Sequence, residues 1–108
     1  MKISEAQQAV DAYIGQFEAG YWPPLTNLAR LMEEVGELAR EMNHRFGHKT
    51  KKPGEPEQDL ALELADILFV LVAIANQQGI DLEEAFRRVL HKYDVRDADR
   101  WTRKDTIE

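Results

Sequence analysis

The sequence contains no cysteine and few helix-breaking residues, and these absences exclude several classes of protein. Without cysteine there is no disulfide, thiolate nucleophile, zinc ribbon or iron–sulfur site. Only 4 prolines and 6 glycines occur in 108 residues, which excludes a fibrous or linker-like chain. The lack of cysteine is compatible with a reducing compartment, and we expect a cytoplasmic protein.

The sequence also has no excess of positive charge and no long apolar run. Because the formal net charge is −6, the surface should repel nucleic acid and anionic lipid, and we expect neither as a partner. The N-terminal residues are polar and show no apolar segment typical of a secretion signal. The longest apolar run, Ile67 to Ala75, is shorter than the roughly 20 residues of a transmembrane helix, so we expect no membrane association.

The residues that are present predict one all-α domain over residues 1–108. Apolar residues recur at helical spacing in four segments, and no strand-like alternation is found. The predicted helices cover residues 3–19, 26–46, 57–78 and 82–93, and a charged tail follows over about 94–108. Ser4 with Gln7, Thr26, and Asp81 with Glu84 are the predicted N-terminal caps of the first, second and fourth helices.

The third predicted helix is apolar around most of its circumference, which is typical of a central helix. Its apolar surface exceeds what three short amphipathic neighbours can cover, so we expect another subunit to bury the remainder. The fourth helix is predicted to bury one apolar face, formed by Leu82, Ala85, Phe86, Val89, Leu90 and Tyr93.

Acidic residues at one-turn spacing occupy one stripe of the second predicted helix. Glu34, Glu37 and Glu41 share this stripe, and Glu33 lies beside it. Like charges at such spacing repel one another, and Gly36 disfavours the helix by about 1 kcal/mol relative to alanine. A purely structural helix would avoid this combination, although an acidic, solvated face is the simpler interpretation of the stripe taken alone.

Glu63 and Asp66 lie one turn apart inside the apolar third helix. A buried carboxylate must be paired, neutralised or bound to a metal. An arginine from a neighbouring helix could pair with these two residues, but acidic pairs on two adjacent helices favour a shared divalent cation. Carboxylate oxygens suit Mg²⁺, or Mn²⁺ in its place, rather than zinc.

These acidic residues and their surroundings resemble the MazG-like, all-α nucleotide pyrophosphohydrolases. Glu33-Glu34-x-x-Glu37 and Glu63-x-x-Asp66 match the family signature E-E-x-x-E followed by E-x-x-D, and the likeness extends from about residue 20 to residue 101. The resemblance implies the all-α NTP pyrophosphatase fold, a four-helix bundle completed by oligomerisation. It also implies hydrolysis of a (deoxy)nucleoside triphosphate to the monophosphate and pyrophosphate, as housecleaning of the nucleotide pool.

The resemblance further implies roles for individual acids. Glu34, Glu37, Glu63 and Asp66 would ligate Mg²⁺, and either Glu34 or Glu37 would be the catalytic base that takes a proton from the attacking water. Some relatives lack an acid at the position of Glu33, so a supporting role and a merely solvated one both stay open for it.

A nucleoside triphosphate beside four acids also needs cations. The family places basic residues after the last helix, which favours Lys92 and Arg96 as substrate-binding residues. Lys49, Lys51 and Lys52, in the basic loop after the second helix, are further candidates. Ordinary surface charge is the alternative interpretation for each of them.

Recognition of the base and assembly of subunits follow from the same resemblance. Trp22 precedes the first acidic helix, where an aromatic face could stack a nucleobase, and Asn27 could donate to or accept from a base or sugar. Packing between subunits is the alternative role for Trp22. Relatives of this length associate, so we expect a homo-oligomer, a tetramer built as a dimer of dimers.

Two other functions fit parts of the sequence. A non-catalytic helical module could bind a nucleotide or a metal through the same acids. Glu41-x-x-His44 has the spacing used in di-iron helical bundles, but such a site needs two of these motifs, and the third helix carries Glu63-x-x-Asp66 instead.

Overall fold

A computed structural model of the chain describes residues 1–47, 50–54 and 59–104. These residues form four helices and no strand, so the predicted all-α class is confirmed. The helices are α1 (Ile3–Gly15), α2 (Pro24–Phe46), α3 (Leu60–Gln77) and α4 (Leu82–Arg96). Three predictions lie outside the described residues: Lys49 as a phosphate ligand, the start of the third helix at residues 57–58, and the tail at 105–108.

Helix α1 begins at Ile3, as predicted, but its end and its N-terminal cap differ from the prediction. The helix ends at Gly15 rather than at residue 19, and the chain reverses at Gly20, whose φ of +64° favours glycine. The predicted cap at Ser4 is wrong, because the N-cap is Lys2, whose backbone N–H donates to Glu5 Oε1 at 3.0 Å. The predicted partner, Gln7, instead donates from Nε2 to the Ile80 carbonyl at 2.8 Å.

Two prolines begin α2, so the predicted cap at Thr26 is also wrong. Pro23 is the N-cap and Pro24 the first helical residue. Proline suits this place because it lacks the N–H that the first helical turn leaves without an intrahelical partner. Trp22 therefore lies immediately before the helix that carries the acidic stripe.

Aspartates cap both remaining helices. Asp59 accepts from the Ala61 N–H at 2.9 Å, and Asp81 accepts from the Glu84 N–H at 3.1 Å, which confirms the predicted cap of α4. The tail begins later than predicted, because α4 continues to Arg96 before the Asp97 N–H donates to the Tyr93 carbonyl at 2.9 Å.

The central position predicted for the third helix is confirmed, since α3 packs against both α2 and α1. The buried apolar residues are Val10, Val70, Val72, Ala73 and Ala75, and four of these five belong to α3. The packing of α2 against α3 brings the two acidic segments to one place in the fold.

The predicted burial of the α4 apolar face is wrong for most of that face in a single chain, since only Leu82 and Ala85 are partly buried. Phe86, Leu90 and Tyr93 are 50%, 53% and 45% exposed, because α4 packs mainly against α1 and no other described helix covers this face. The Cα radius of gyration is 18.3 Å, whereas a compact domain of this length has about 13 Å. One chain therefore forms an open arrangement of helices with uncovered apolar faces.

By length and composition alone, α3 would qualify as a membrane-crossing helix, with a mean hydropathy of 1.8 over 18 residues. Central helices of water-soluble proteins meet the same criteria. Because α3 carries Glu63 and Asp66 and packs against α1 and α2, its hydropathy is that of an apolar central helix and gives only weak support for a membrane span.

Candidate metal centre

Three carboxylates from α2 and α3 converge in the folded chain. One oxygen from each of Glu34, Glu37 and Glu63 lies within 4.8 Å of the other two, and we call these residues the carboxylate group. Glu34 and Glu37 lie one turn apart on α2, while Glu63 comes from α3. Glu63 is buried, Glu34 partly buried and Glu37 exposed, so the group extends from the interior to solvent.

Within the described part of the chain, no salt bridge neutralises the carboxylate group, and Arg30 only partly offsets the effects that raise the pKa of Glu34. Burial is the largest cause that raises the pKa of Glu34 and of Glu63, and repulsion by Glu37 and Asp66 raises both further. Glu34 Oε2 and Glu63 Oε2 are buried and accept no hydrogen bond from any described residue. Nor does an arginine pair with Glu63 or Asp66 within residues 1–47, 50–54 and 59–104, so the bridging alternative finds no support there.

The unpaired oxygens fit a divalent cation. A buried carboxylate oxygen without a hydrogen bond destabilises the fold unless something of positive charge satisfies it. Hard divalent cations prefer oxygen ligands and accept several carboxylates at once. Glu34, Glu37 and Glu63 provide such a set of donors at mutual distances that one ion could bridge.

Asp66, the fourth predicted ligand, lies at the margin of the carboxylate group rather than within it. It is exposed, one turn after Glu63 on α3, and near enough for its charge to raise the pKa of Glu34 and of Glu63. It also lines the neighbouring cavity, so it borders both features. Glu33 is exposed and lies outside the group, as a solvated residue would.

Glu41 continues the α2 stripe into a different environment. Its side chain is 2% exposed and pairs with Arg45 Nε at 3.0 Å and with Lys51 Nζ at 3.4 Å. Burial acts to raise its pKa, but hydrogen bonds from Arg45 and Lys51 outweigh burial and lower the pKa below its ordinary value. Lys51, a predicted phosphate ligand, is therefore engaged by an acid of its own chain.

The di-iron interpretation gains nothing from this arrangement. Glu41 is already paired with cations, and among the described residues the carboxylate group contains no histidine. His44 Nδ1 is buried and has no hydrogen-bond partner among the described residues, but His44 is not part of the group.

A cavity of about 790 Å³ adjoins the carboxylate group where α1, α2, α3 and the connection after α1 meet. Aromatic rings form much of its lining, and a few polar side chains are interspersed among them. The aromatic lining residues are Tyr13, Phe17, Tyr21, Trp22 and Phe69, and the polar side chains are those of Asn27, Arg30 and Asp66. Such a cavity has the composition of a binding site for a flat, partly apolar ligand.

Both predicted base-binding residues line the cavity, and they also contact each other. Trp22 is 48% exposed, and its carbonyl accepts from Gln77 Nε2 at 2.6 Å and from Asn27 Nδ2 at 3.5 Å. Asn27 is 4% exposed, and its Nδ2 also lies 3.4 Å from Gln77 Oε1. Asn27 therefore positions Trp22 in addition to lining the cavity.

A polar network fixes the α1 side of the cavity. Tyr21 donates its hydroxyl to Asp11 Oδ1 at 2.7 Å, and Asn76 Nδ2 donates to the Tyr21 hydroxyl at 3.1 Å and to the Gln7 carbonyl at 2.9 Å. These bonds join α1, the connection and α3, so the aromatic lining is held at a fixed place beside the acids.

Arg30 is a site residue that the sequence reasoning missed. Its guanidinium carbon lies 5.1 Å from the ring centroid of Trp22 and 5.6 Å from that of Phe69, within cation–π range. Among the described residues that line the cavity, it is the only basic one. One signal could have found it, because Arg30 lies one turn before Glu34 on the same stripe of α2.

The predicted cations of α4 do not reach the cavity within one chain. Arg96 forms two 2.9 Å hydrogen bonds with Asp97 and stacks on Tyr93, with 4.6 Å from its guanidinium carbon to the ring centroid. Lys92 Nζ lies 5.9 Å from the same ring centroid. Neither residue lines the cavity, so a single chain does not bring them to the acids.

Comparison with known proteins places most of the chain in one sequence family. The model of the MazG nucleotide pyrophosphohydrolase domain matches residues 23–101, which include all four predicted metal ligands. The uncharacterized protein YpjD of Bacillus subtilis (strain 168) is 55% identical over 103 residues, covering 95% of this chain and 93% of the relative. The uncharacterized protein YvdC of the same organism is 25% identical over 93 residues, covering 81% and 88%.

Two solved structures share the fold. The crystal structure of YpjD from Bacillus subtilis, a candidate pyrophosphatase, matches with a TM-score of 0.79 and 52% identity, covering 87% of this chain and 96% of that one. The crystal structure of a Bacillus-conserved MazG protein, a nucleotide pyrophosphohydrolase, matches with a TM-score of 0.77 and 46% identity, covering 93% and 97%.

Proposed function

Because the chain belongs to the MazG nucleotide pyrophosphohydrolase family, we propose that it hydrolyses a (deoxy)nucleoside triphosphate to the monophosphate and pyrophosphate, with Mg²⁺ as cofactor. The observation that carries this proposal is the carboxylate group beside an aromatic cavity, since two of its buried oxygens accept no hydrogen bond from the described residues. Clearing unwanted nucleotides from the cytoplasmic pool is the corresponding cellular role.

The acids of α2 and α3 would hold the metal. Glu34, Glu37 and Glu63 would supply the ligands nearest one another, and Asp66 would complete the set from the margin of the group. When bound, the cation supplies charge neutralisation for the phosphate oxygens and the departing pyrophosphate. Mn²⁺ would substitute, because it accepts the same oxygen ligands.

Either Glu34 or Glu37 would take the proton of the attacking water. Burial raises the pKa of Glu34, and a base is more effective when its pKa lies nearer the working pH. Glu37 has the better access to solvent, because it is exposed. These two properties favour different residues, and substitution of each by glutamine separates the roles.

The nucleobase would occupy the cavity. Trp22 offers an aromatic face for stacking, and Asn27, buried behind it, keeps Trp22 in place through the Trp22 carbonyl. Few polar side chains reach the cavity, so the shape of the lining would set most of the base preference.

The working form would be a homo-oligomer, a tetramer built as a dimer of dimers. The exposed apolar residues of α3 and α4 and the large radius of gyration support this, since a soluble monomer rarely leaves such faces uncovered. Lys92 and Arg96 would then bind phosphate in the cavity of a neighbouring subunit rather than in their own.

A substrate panel tests the proposed function. Purified protein is incubated with each standard and non-standard nucleoside triphosphate, with Mg²⁺ or with EDTA. We expect monophosphate and pyrophosphate in equal amounts from at least one nucleotide, and none with EDTA. Glu63→Gln should abolish turnover, whereas Glu84→Gln, at a 52% exposed side chain on α4, should not.

Two outcomes would contradict the proposal. Release of inorganic phosphate in place of pyrophosphate would assign a different bond to the reaction. Nucleotide binding that depends on Mg²⁺ without any turnover would favour the non-catalytic binding module.

A further inference from the structure

A nucleotide bound beside the carboxylate group would need cationic contacts from the protein. Its phosphates would lie near Glu34, Glu37 and Glu63, and Asp66 lines the cavity itself. A divalent cation offsets part of this negative charge, and the remainder requires basic side chains. Arginine suits the task because its planar guanidinium can donate two parallel hydrogen bonds to one phosphate.

The chain offers few basic residues at this place. Lys51 is engaged by Glu41, and Lys92 and Arg96 lie on α4, which packs mainly against α1. Arg30 alone among the described basic residues lines the cavity. Among the described residues, Arg30 is therefore the cation that the same chain places in the cavity.

The surroundings of Arg30 hold its guanidinium and leave its donors available. The rings of Trp22 and Phe69 lie within cation–π distance, at 5.1 and 5.6 Å. A guanidinium stacked against a ring keeps its N–H groups directed outward in its own plane. Arg30 forms no hydrogen bond or ion pair with any residue of the described part of the chain.

Arg30 also lies close to the acids that would hold the metal. It precedes Glu34 by one turn of α2, and its positive charge acts against burial to lower the pKa of Glu34. A ligand that contacts both Trp22 and the carboxylate group would therefore lie next to the Arg30 guanidinium.

We propose that Arg30 binds the phosphate next to the sugar of the bound nucleotide, while Trp22 and the other rings contact the base. Arg30 thereby links the base-binding cavity to the carboxylate group and makes the cavity selective for nucleotides over nucleosides. This role depends on the proposed function only because that function identifies the ligand as a nucleotide. The competing role is structural, in which Arg30 merely covers the two rings.

Ligand binding separates the two roles without any turnover. Calorimetry with Mg²⁺ present compares a nucleoside monophosphate, the one bound best by the unsubstituted protein, with its parent nucleoside. We expect Arg30→Gln to weaken monophosphate binding by about 10- to 100-fold, the usual effect of losing hydrogen bonds to a charged group. Nucleoside binding should change by less than about threefold, and Arg30→Lys should recover part of the loss because it keeps the charge.

Controls keep the result interpretable. Arg88→Gln removes a 72% exposed cation on α4 and should leave both ligands unaffected. If Arg30→Gln unfolds, Arg30→Lys gives the same comparison with the charge kept and the bidentate geometry lost. The proposal would be overturned if Arg30→Gln lost affinity equally for the nucleoside and the monophosphate, or for neither. It would also be overturned if the unsubstituted protein did not bind the monophosphate. If Arg30→Gln binds the monophosphate as wild type does, and wild type turns over a nucleotide, then Arg30 is not a phosphate ligand and the proposed function still holds.

Discussion

Two buried glutamates on adjacent helices have opposite electrostatic environments. Glu41 is held ionised by Arg45 and Lys51, which lower its pKa, whereas burial and neighbouring acids raise the pKa of Glu63. The folded state therefore favours the charge of Glu41 and disfavours that of Glu63. Replacing each with glutamine should change stability in opposite directions.

Glu63→Gln should stabilise the metal-free protein at neutral pH. Because the folded-state pKa of Glu63 is raised, its charge destabilises the fold increasingly as pH rises above the ordinary value of 4.5. Urea unfolding in EDTA at pH 4 and pH 7.5 checks this. The gain should be present at pH 7.5 and absent at pH 4, and a variant less stable than wild type at pH 7.5 would contradict it.

Glu41→Gln should destabilise the protein at neutral pH. A lowered folded-state pKa means that Glu41 contributes stability above the ordinary value of 4.5, and that this stability is lost as pH falls through the folded-state pKa. In thermal unfolding, the Tm of Glu41→Gln should be lower than that of wild type at pH 7.5, and the difference between the two should be smaller in acid. Glu84→Gln, which removes an exposed acid, is the matched control.

Magnesium should stabilise the wild-type protein and not Glu63→Gln. A ligand bound only to the folded state adds about 2.7 kcal/mol at 100 times its Kd. Tm measured against Mg²⁺ concentration should rise for wild type and stay level for the variant. An equal rise in both would mean that Glu63 does not ligate the ion.

At the scale of single residues, the acids of the site are easier to recognise from the sequence than the residues around them. Glu63 is recognisable because a carboxylate inside an apolar helix needs a compensating partner. For Arg30 the sequence shows only its place one turn before Glu34, and its contacts with Trp22 and Phe69 form only in the folded chain. The pairing of Lys51 with Glu41 is likewise a tertiary contact that spacing does not predict.

At the scale of elements, α2 contains a glycine that the isolated chain does not require. An added Cβ at Gly36 would meet nothing within 4 Å, and its backbone conformation is helical. Gly36→Ala should therefore raise the free energy of unfolding by about 1 kcal/mol, measured in urea.

Gly47, just after the same helix, is the matched contrast. A Cβ there would contact the Asn43 side chain and lie 2.8 Å from the Asn43 carbonyl, so Gly47→Ala should not stabilise. If Gly36→Ala destabilises or reduces the oligomer, another subunit must approach α2 closely at this glycine.

Helix identity is more predictable than helix ends. The four helices and their order follow from apolar periodicity, and the Asp81 cap follows from local chemistry. The start of α2 is missed because two consecutive prolines suggest an interruption, although proline is tolerated in the first turn. The early end of α1 depends on the reversal at Gly20, which brings Tyr21 back toward Asp11.

At the scale of the whole molecule, the uncovered apolar faces predict assembly. One chain has a mass of 12.5 kDa, so a tetramer would have four times 12.5, or 50 kDa, by light scattering. Leu68→Ser, at a 54% exposed leucine of α3, should shift the protein toward smaller species and reduce turnover. Gln8→Ser, at an exposed polar position of α1, should do neither. A monomeric wild type at micromolar concentration would contradict the expected assembly.

The surplus apolar surface is itself predictable from sequence, because the apolar circumference of α3 exceeds what its neighbours cover. The exposure of the α4 face cannot be predicted from sequence, because periodicity identifies an apolar face and does not say which chain covers it. Phe86 and Leu90 illustrate the difference, as they follow the pattern of buried residues and are exposed in one chain.

The cavity draws part of its lining from a stretch of the chain that contributes nothing to the carboxylate group. The carboxylate group belongs to α2 and α3, whereas two of the cavity rings come from outside these helices: Tyr13 from α1 and Phe17 from the connection that follows it. Hydrogen bonds of Asn76 and Tyr21 hold this part of the chain against α3. Substitutions at positions 13 and 17 can therefore reshape the cavity without disturbing the acids. A change of ligand preference would then need no change in the acidic residues.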